Sequence, residues 1–94
     1  MRKYELVCVI QPDLDETAFN VVLEKVKGWI SDSGGSVDKV DVWGRRKMAY
    51  IIKKHREGQY VLLNMTMNPA ATFDLERNLR YQEPIIRHML SVAE

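Results

Sequence analysis

The run Val42-Trp43-Gly44-Arg45-Arg46-Lys47-Met48-Ala49-Tyr50-Ile51-Ile52-Lys53-Lys54-His55-Arg56-Glu57-Gly58-Gln59-Tyr60-Val61-Leu62-Leu63-Asn64-Met65-Thr66-Met67 reads as a β-hairpin at the centre of the chain. Its second arm, Gln59 to Met67, alternates cleanly, with Val61, Leu63, Met65 and Met67 on one face and Tyr60, Leu62, Asn64 and Thr66 on the other. The first arm, Val37 to Lys54, is long for one strand. Its apolar parity is clear only in pieces, so a bulge or bend is expected near Trp43-Gly44. Glu57-Gly58 is expected to supply the turn.

Each side of the hairpin carries a helix and then a strand. On the N-terminal side, Gly34-Gly35 ends a helix that buries Phe19, Val22, Val26, Trp29 and Ile30 at helical spacing. Asp13, which has capping-box spacing to Glu16, and Asp15 are both candidates for its N-cap. Before it, Lys3 to Ile10 is a strand with apolar residues on both faces, Tyr4, Leu6, Cys8 and Ile10 on one and Val7 and Val9 on the other, as an inner strand requires. On the C-terminal side, Asn68-Pro69 reads as an N-cap followed by an N1 proline. The helix then runs to about Arg80, burying Thr72, Leu75, Leu79 and Phe73. After Pro84, Ile85 to Val92 forms a last strand, with Ile86, His88, Leu90 and Val92 on one face and Arg87 and Met89 on the other. The order β-α-β-β-α-β predicts an α+β, ferredoxin-like domain spanning residues 1–94, in which two helices cover one face of a four-stranded antiparallel sheet.

The open face of such a sheet needs a use for its apolar groups. Tyr4, Val7, Val9, Tyr60 and Leu62 are the candidate surface for a protein or RNA partner, although single exposed apolar residues are also ordinary. Tyr4 and Tyr50 are expected to be partly buried in the sheet, and Trp43 to anchor the bend.

Charge narrows the choice of partner. The 94 residues carry 14 basic and 13 acidic groups, a net charge of +1 that by itself singles out no nucleic-acid binder. The distribution is uneven. From Glu5 to Asp41 eight acids face only Lys25, Lys27 and Lys39, whereas Val42 to Arg56 holds six Lys or Arg and no acid. An anionic partner is expected to dock there. Adjacent strand residues point to opposite faces, so at most two of Arg45, Arg46 and Lys47 share a direction. A solvated edge strand guarded by cations would show the same charge.

Other function classes find little support. The single Cys8 lies in an apolar run, excludes an intrachain disulfide and reads as packing rather than as a nucleophile. His55 and His88 sit in different elements with no acid or thiol at ligand spacing, and His88 is expected to be a satisfied, largely buried histidine. No segment has the apolar core of a signal peptide or the length of a membrane span, so a soluble cytoplasmic chain is expected. Neither catalytic residues nor a cofactor, a metal or a small-molecule substrate is expected.

With these residues in view, the chain resembles the bacterial small-subunit ribosomal protein family conventionally numbered six. The likeness covers essentially the whole chain. It is carried by Arg2-Lys3-Tyr4-Glu5, Gln11-Pro12-Asp13-Leu14-Asp15, Trp43 to Tyr50, Glu57-Gly58-Gln59-Tyr60, Leu79-Arg80 and Ile86-Arg87-His88-Met89. The resemblance implies a ferredoxin-like, ribosome-associated protein that binds the central domain of small-subunit ribosomal RNA as partner of the small-subunit ribosomal protein numbered eighteen. The chain departs from the family pattern at Met48 (usually leucine), Ile51 (usually proline) and His88 (usually tyrosine or apolar). Ile51 restores a ladder donor and is expected to make the strand more regular. The chain also ends at Glu94, short of an extension many relatives carry.

The expected RNA contacts are Arg2, Lys3, Arg45, Arg46, Lys47, Lys53, Lys54, Arg80 and Arg87, with Arg45 and Arg87 foremost and the terminal cations joining the hairpin's basic end. From fold alone, the alternative is a regulatory ferredoxin-like module that binds a small metabolite at a dimer interface. An acylphosphatase-type hydrolase is disfavoured because Asp13 and Asp15 would repel phosphate. An RNA recognition motif is matched only at Gly58 and one aromatic.

Overall fold

β1 (Arg2–Ile10), which carries apolar residues on both faces, lies inside the sheet, between β3 (His55–Met67) and β4 (Ile85–Val92), with β2 (Ser36–Ile52) outside β3. All three pairings are antiparallel. The structure, a computed structural model, describes residues 1–93. Helices α1 (Glu16–Asp32) and α2 (Thr72–Arg80) pack on one face, which completes the β-α-β-β-α-β, ferredoxin-like arrangement.

The core lies between that face and the helices. It takes Leu6, Cys8 and Ile10 from β1, Val61, Leu63, Met65 and Met67 from β3, Phe19, Val22, Val26 and Ile30 from α1, and Leu75 and Leu79 from α2. Each fully buried aliphatic side chain contributes about 1.5–3 kcal/mol. Asp15 is the N-cap of α1, its Oδ1 accepting from the Ala18 N–H at 2.8 Å. The helix ends as expected, with the Gly35 N–H on the Ile30 carbonyl at 3.0 Å. Gln59 turns toward the helices, donating to the carbonyls of Gln11 and Leu14, both at 3.1 Å, and so ties the β1–α1 loop to β3.

Several expectations are corrected. The hairpin turn is Lys53-Lys54, not Glu57-Gly58: both lysines have positive φ (50° and 69°), and Ile52 pairs with His55. Glu57 and Gly58 lie inside β3, opposite Lys47 and Arg46. Glycine at 58 answers a packing demand instead of a turn, since a Cβ there would overlap Val9 Cγ1. Ile51 does not regularise the strand, because Met48 to Ile51 have no partners in the β2–β3 register. Phe73 points outward, 76% exposed, because buried Leu75 and Leu79 set the inner face of α2. Asn68 caps the 3-10 turn Pro69–Ala71 that leads into α2, accepting from the Ala70 N–H at 3.0 Å. A register shift between Val9 and Ile10 lets Ile85 and Ile86 both bury.

Tyr4 and Val9 are not surface groups. Tyr4, 7% exposed, belongs to the core on the helix side. Val9 does face away from the helices, yet it is only 1% exposed, enclosed with Met48, Tyr50, Tyr60 and Arg87 around one small cavity.

Candidate nucleic-acid interface

The bulge at Trp43-Gly44 sets the direction of every cation after it. Val42 pairs with Val61 and Gly44 with Tyr60, so Trp43 and Gly44 share one partner, and Gly44 takes φ +85°, where a side chain would be strained. One inserted residue exchanges the faces of all that follow. Arg45 therefore stands opposite Gln59 and Lys47 opposite Glu57 on the helix side, while Arg46 stands opposite Gly58 on the open face.

Each arginine is held differently. Arg45 donates through Nη2 to the Pro12 carbonyl at 2.6 Å and lies 3.7 Å from Glu57 Oε2 through Nη1, so it braces the β1–α1 loop with its charge partly matched. The Arg46 guanidinium lies over the Trp43 ring, 5.5 Å from its centroid. Trp43 stacks on Tyr60, with centroids 6.4 Å apart and planes 14° from parallel, and donates from Nε1 to Asp41 Oδ2 at 3.2 Å. The bend residue thus also forms an aromatic platform on the open face.

Arg87 joins Arg46 on that face. It stands opposite Val9 in the β1–β4 ladder and donates through Nη1 to the Tyr50 hydroxyl at 3.0 Å. Val7, Leu62 and Tyr60 are half-buried there, and Met89, opposite Val7, is exposed. Arg45 and Arg87, the two contacts expected foremost, lie on opposite faces.

The remaining cations fall into separate groups. Lys53 and Lys54 form the hairpin tip, and with Lys47 and Arg56 they hold no ion pair among the described residues. Lys47, Lys54 and Arg56 edge an open concavity of about 650 Å³ whose single acid, Glu57, is the one beside Arg45. Arg2 and Lys3 do not join this end. Ile10 pairs with Gln59 but Arg2 with Met67, eight residues further along β3, about 26 Å at roughly 3.3 Å per residue. Arg80 closes α2 in the helix layer, away from the open face.

Trp43, Tyr50 and Met89 lie outside the expected site residues and line the open face with them. Tyr50, expected to be partly buried, is 60% exposed. Gly44 is the sequence signal that could have pointed to Trp43; nothing local marks Tyr50.

His88 approaches Glu76 of α2, its Nε2 3.4 Å from Oε1, with 17% of its side chain exposed. Burial pushes the Cys8 thiol up to about 12, so at neutral pH it stays protonated and packs as an apolar group. No helix among the described residues is long and apolar enough to cross a membrane.

The chain is similar to known proteins along its whole length. A profile of the family described as Ribosomal protein S6 matches residues 3–91. The chain is 47% identical over 94 residues to the small ribosomal subunit protein bS6 of Clostridium botulinum strain Loch Maree, covering all of both chains. It is 45% identical to the bS6 protein of Moorella thermoacetica, covering all of this chain and 96% of that one. The crystal structure of 30S ribosomal protein S6 from Thermotoga maritima superposes with a TM-score of 0.92 at 33% identity, over 98% of this chain and 87% of that one.

Proposed function

This chain belongs to the ribosomal protein S6 family, and on that premise we propose that it binds the central domain of small-subunit ribosomal RNA together with the small-subunit ribosomal protein numbered eighteen. As a family member it is a constituent of the small ribosomal subunit, ribosome-associated in the cytoplasm, and not an enzyme.

The observation that carries the finer reading is the make-up of the uncovered sheet face beside the hairpin. Arg46 and Arg87, two cations from different edges of the sheet, share it with the Trp43–Tyr60 stack and with half-buried Val7 and Leu62. Lys53 and Lys54, which hold no ion pair among the described residues, form the adjoining tip, and Lys47 stands before it on the helix side. Cations not neutralised by a carboxylate suit a phosphate backbone, and aromatic rings with half-buried aliphatics suit a base or an apolar protein segment. In this reading one domain over residues 1–94 supplies both. Arg46, Arg87 and the tip lysines meet RNA, and Val7, Tyr60 and Leu62 meet the partner protein. Arg45 contributes by bracing the hairpin, while Arg2, Lys3 and Arg80 reach RNA only at separate points.

The test is reconstitution. The protein is mixed with a transcript of the central domain, with and without the partner protein, and complex formation is followed as salt is raised. A complex that needs the protein and weakens steeply with salt supports the reading. Absence of the protein from salt-washed small subunits would overturn it.

A further inference from the structure

We propose that Tyr50 is a positioning residue, whose hydroxyl holds the Arg87 guanidinium in place and joins the β2–β3 hairpin and β4 into one RNA-binding surface. The proposal rests on the reading that Arg87 meets RNA.

The geometry begins with an interruption in the ladder. β2 pairs with β3 as far as Lys47 opposite Glu57, and pairing resumes at Ile52 opposite His55. Four residues, Met48 to Ile51, therefore stand against Arg56 alone. The excess cannot be accommodated in the ladder, so it leaves the plane of the sheet. The Tyr50 side chain, carried on this segment, reaches across β3 and β1 to Arg87 on the far edge strand. Val9, Met48, Tyr50, Tyr60, Arg87 and Met89 are among the residues lining a cavity of about 140 Å³. Proline is absent from this stretch, so the interruption persists without a residue that lacks a backbone donor.

The chemistry of the contact separates positioning from blocking. A guanidinium has five N–H donors, and the bond to Tyr50 uses one. The acceptor is a neutral hydroxyl, so the charge on Arg87 is left for an anion, whereas Arg45 sits beside the Glu57 carboxylate. Holding a long side chain in one orientation before binding removes part of the ordering cost on association, worth about two- to tenfold in affinity. The same bond ties Arg87 to the segment that leads into the Lys53-Lys54 tip, so a cation of the last strand and those of the central hairpin keep a fixed spacing.

The test compares wild type with Tyr50→Phe, Arg87→Ala and the double variant. Affinity for a central-domain RNA transcript is measured in the presence of the partner protein across a salt series, and the Tm of each free protein is recorded. Tyr50→Phe keeps the ring and the Arg87 charge. It is expected to weaken binding about two- to tenfold, to leave the salt slope unchanged and to move Tm by little. Arg87→Ala is expected to weaken binding and lower the slope by about one, and the double variant to match Arg87→Ala alone. Unchanged binding by Tyr50→Phe, or losses that simply multiply in the double variant, overturns positioning while leaving Arg87 as an RNA contact. If Arg87→Ala changes neither affinity nor slope, the assignment of Arg87 to RNA falls, and the role of Tyr50 with it.

Discussion

Arg45 and Arg46 are neighbours in the chain and face opposite sides of the sheet, Arg45 opposite Gln59 on the helix side and Arg46 opposite Gly58 on the open side. The division separates an arginine that braces a loop from one that lies over an aromatic ring on the open face. Arg45 holds the Pro12 carbonyl, and Arg46 lies over Trp43 beside Tyr60.

Exchanging these two arginines for alanine is therefore expected to give different defects. Arg45→Ala removes one charge-assisted hydrogen bond and a weak surface ion pair, a loss of about 1 kcal/mol. In a domain of this size that lowers Tm by about 4 °C or more, with RNA affinity within about twofold of wild type. Arg46→Ala should leave Tm nearly unchanged and weaken RNA binding by about three- to tenfold, with a shallower salt dependence. Thermal unfolding and salt-dependent binding on both variants decide the matter, and equal defects would contradict the face assignment.

Gly58 is required by Val9, not by a turn. An alanine at 58 would drive its Cβ into Val9 Cγ1, and overpacking of this kind costs about 1–3 kcal/mol. Val9→Ala makes room for the new methyl. The double variant Gly58→Ala with Val9→Ala should be more stable than the two single losses added together. Urea denaturation of the four proteins measures the coupling, and strict additivity would show that the backbone near Gly58, not Val9, sets the limit.

The start of α1 offers a direct choice between two aspartates. Asp15→Ala removes the acceptor of the Ala18 N–H and should cost about 1 kcal/mol. Asp13→Ala should cost little, since the side chain that caps α1 is that of Asp15. Equal losses in chemical denaturation would contradict the capping assignment.

Cys8 should make stability fall at alkaline pH. Its thiol is raised from 9.0 to about 12 by burial, so the folded chain keeps a proton that the unfolded chain releases. The stability contributed by this group is complete below pH 9.0 and is lost as pH rises through the folded value near 12. Within that window the loss runs at about 1.4 kcal/mol per pH unit. Cys8→Ala removes this component but not those of lysine and tyrosine. The stability advantage of wild type over the variant should therefore shrink between pH 9 and pH 11, and a constant difference would show that the thiol titrates normally.

Local patterns along the chain carry most of the architecture. The alternation of Val61, Leu63, Met65 and Met67, the spacing of Phe19, Val22, Val26 and Ile30, and the glycines after Ser33 all act within one element. The element order follows from them, and with it the ferredoxin-like arrangement. The turn is harder to place, because Glu57-Gly58 has turn chemistry, whereas Lys53-Lys54 carries no glycine, asparagine or aspartate to mark its positive φ angles. Phe73 reads as inward-facing because a short helix with few apolar residues leaves its inner face poorly defined.

The order of strands and helices and the apolar faces of β1, β3 and α1 are written in the chain, because alternation and helical spacing depend only on neighbours along it. So is the gathering of the cations between Val42 and Arg56. Where they point is set by strand pairing. A bulge at Trp43-Gly44 is legible in the chain, but the side onto which it turns Arg45 and Arg46 depends on the pairing with β3, since one inserted residue inverts the alternation that follows. The meeting of Tyr50 with Arg87 spans the two inner strands, a contact between distant positions that no local pattern encodes.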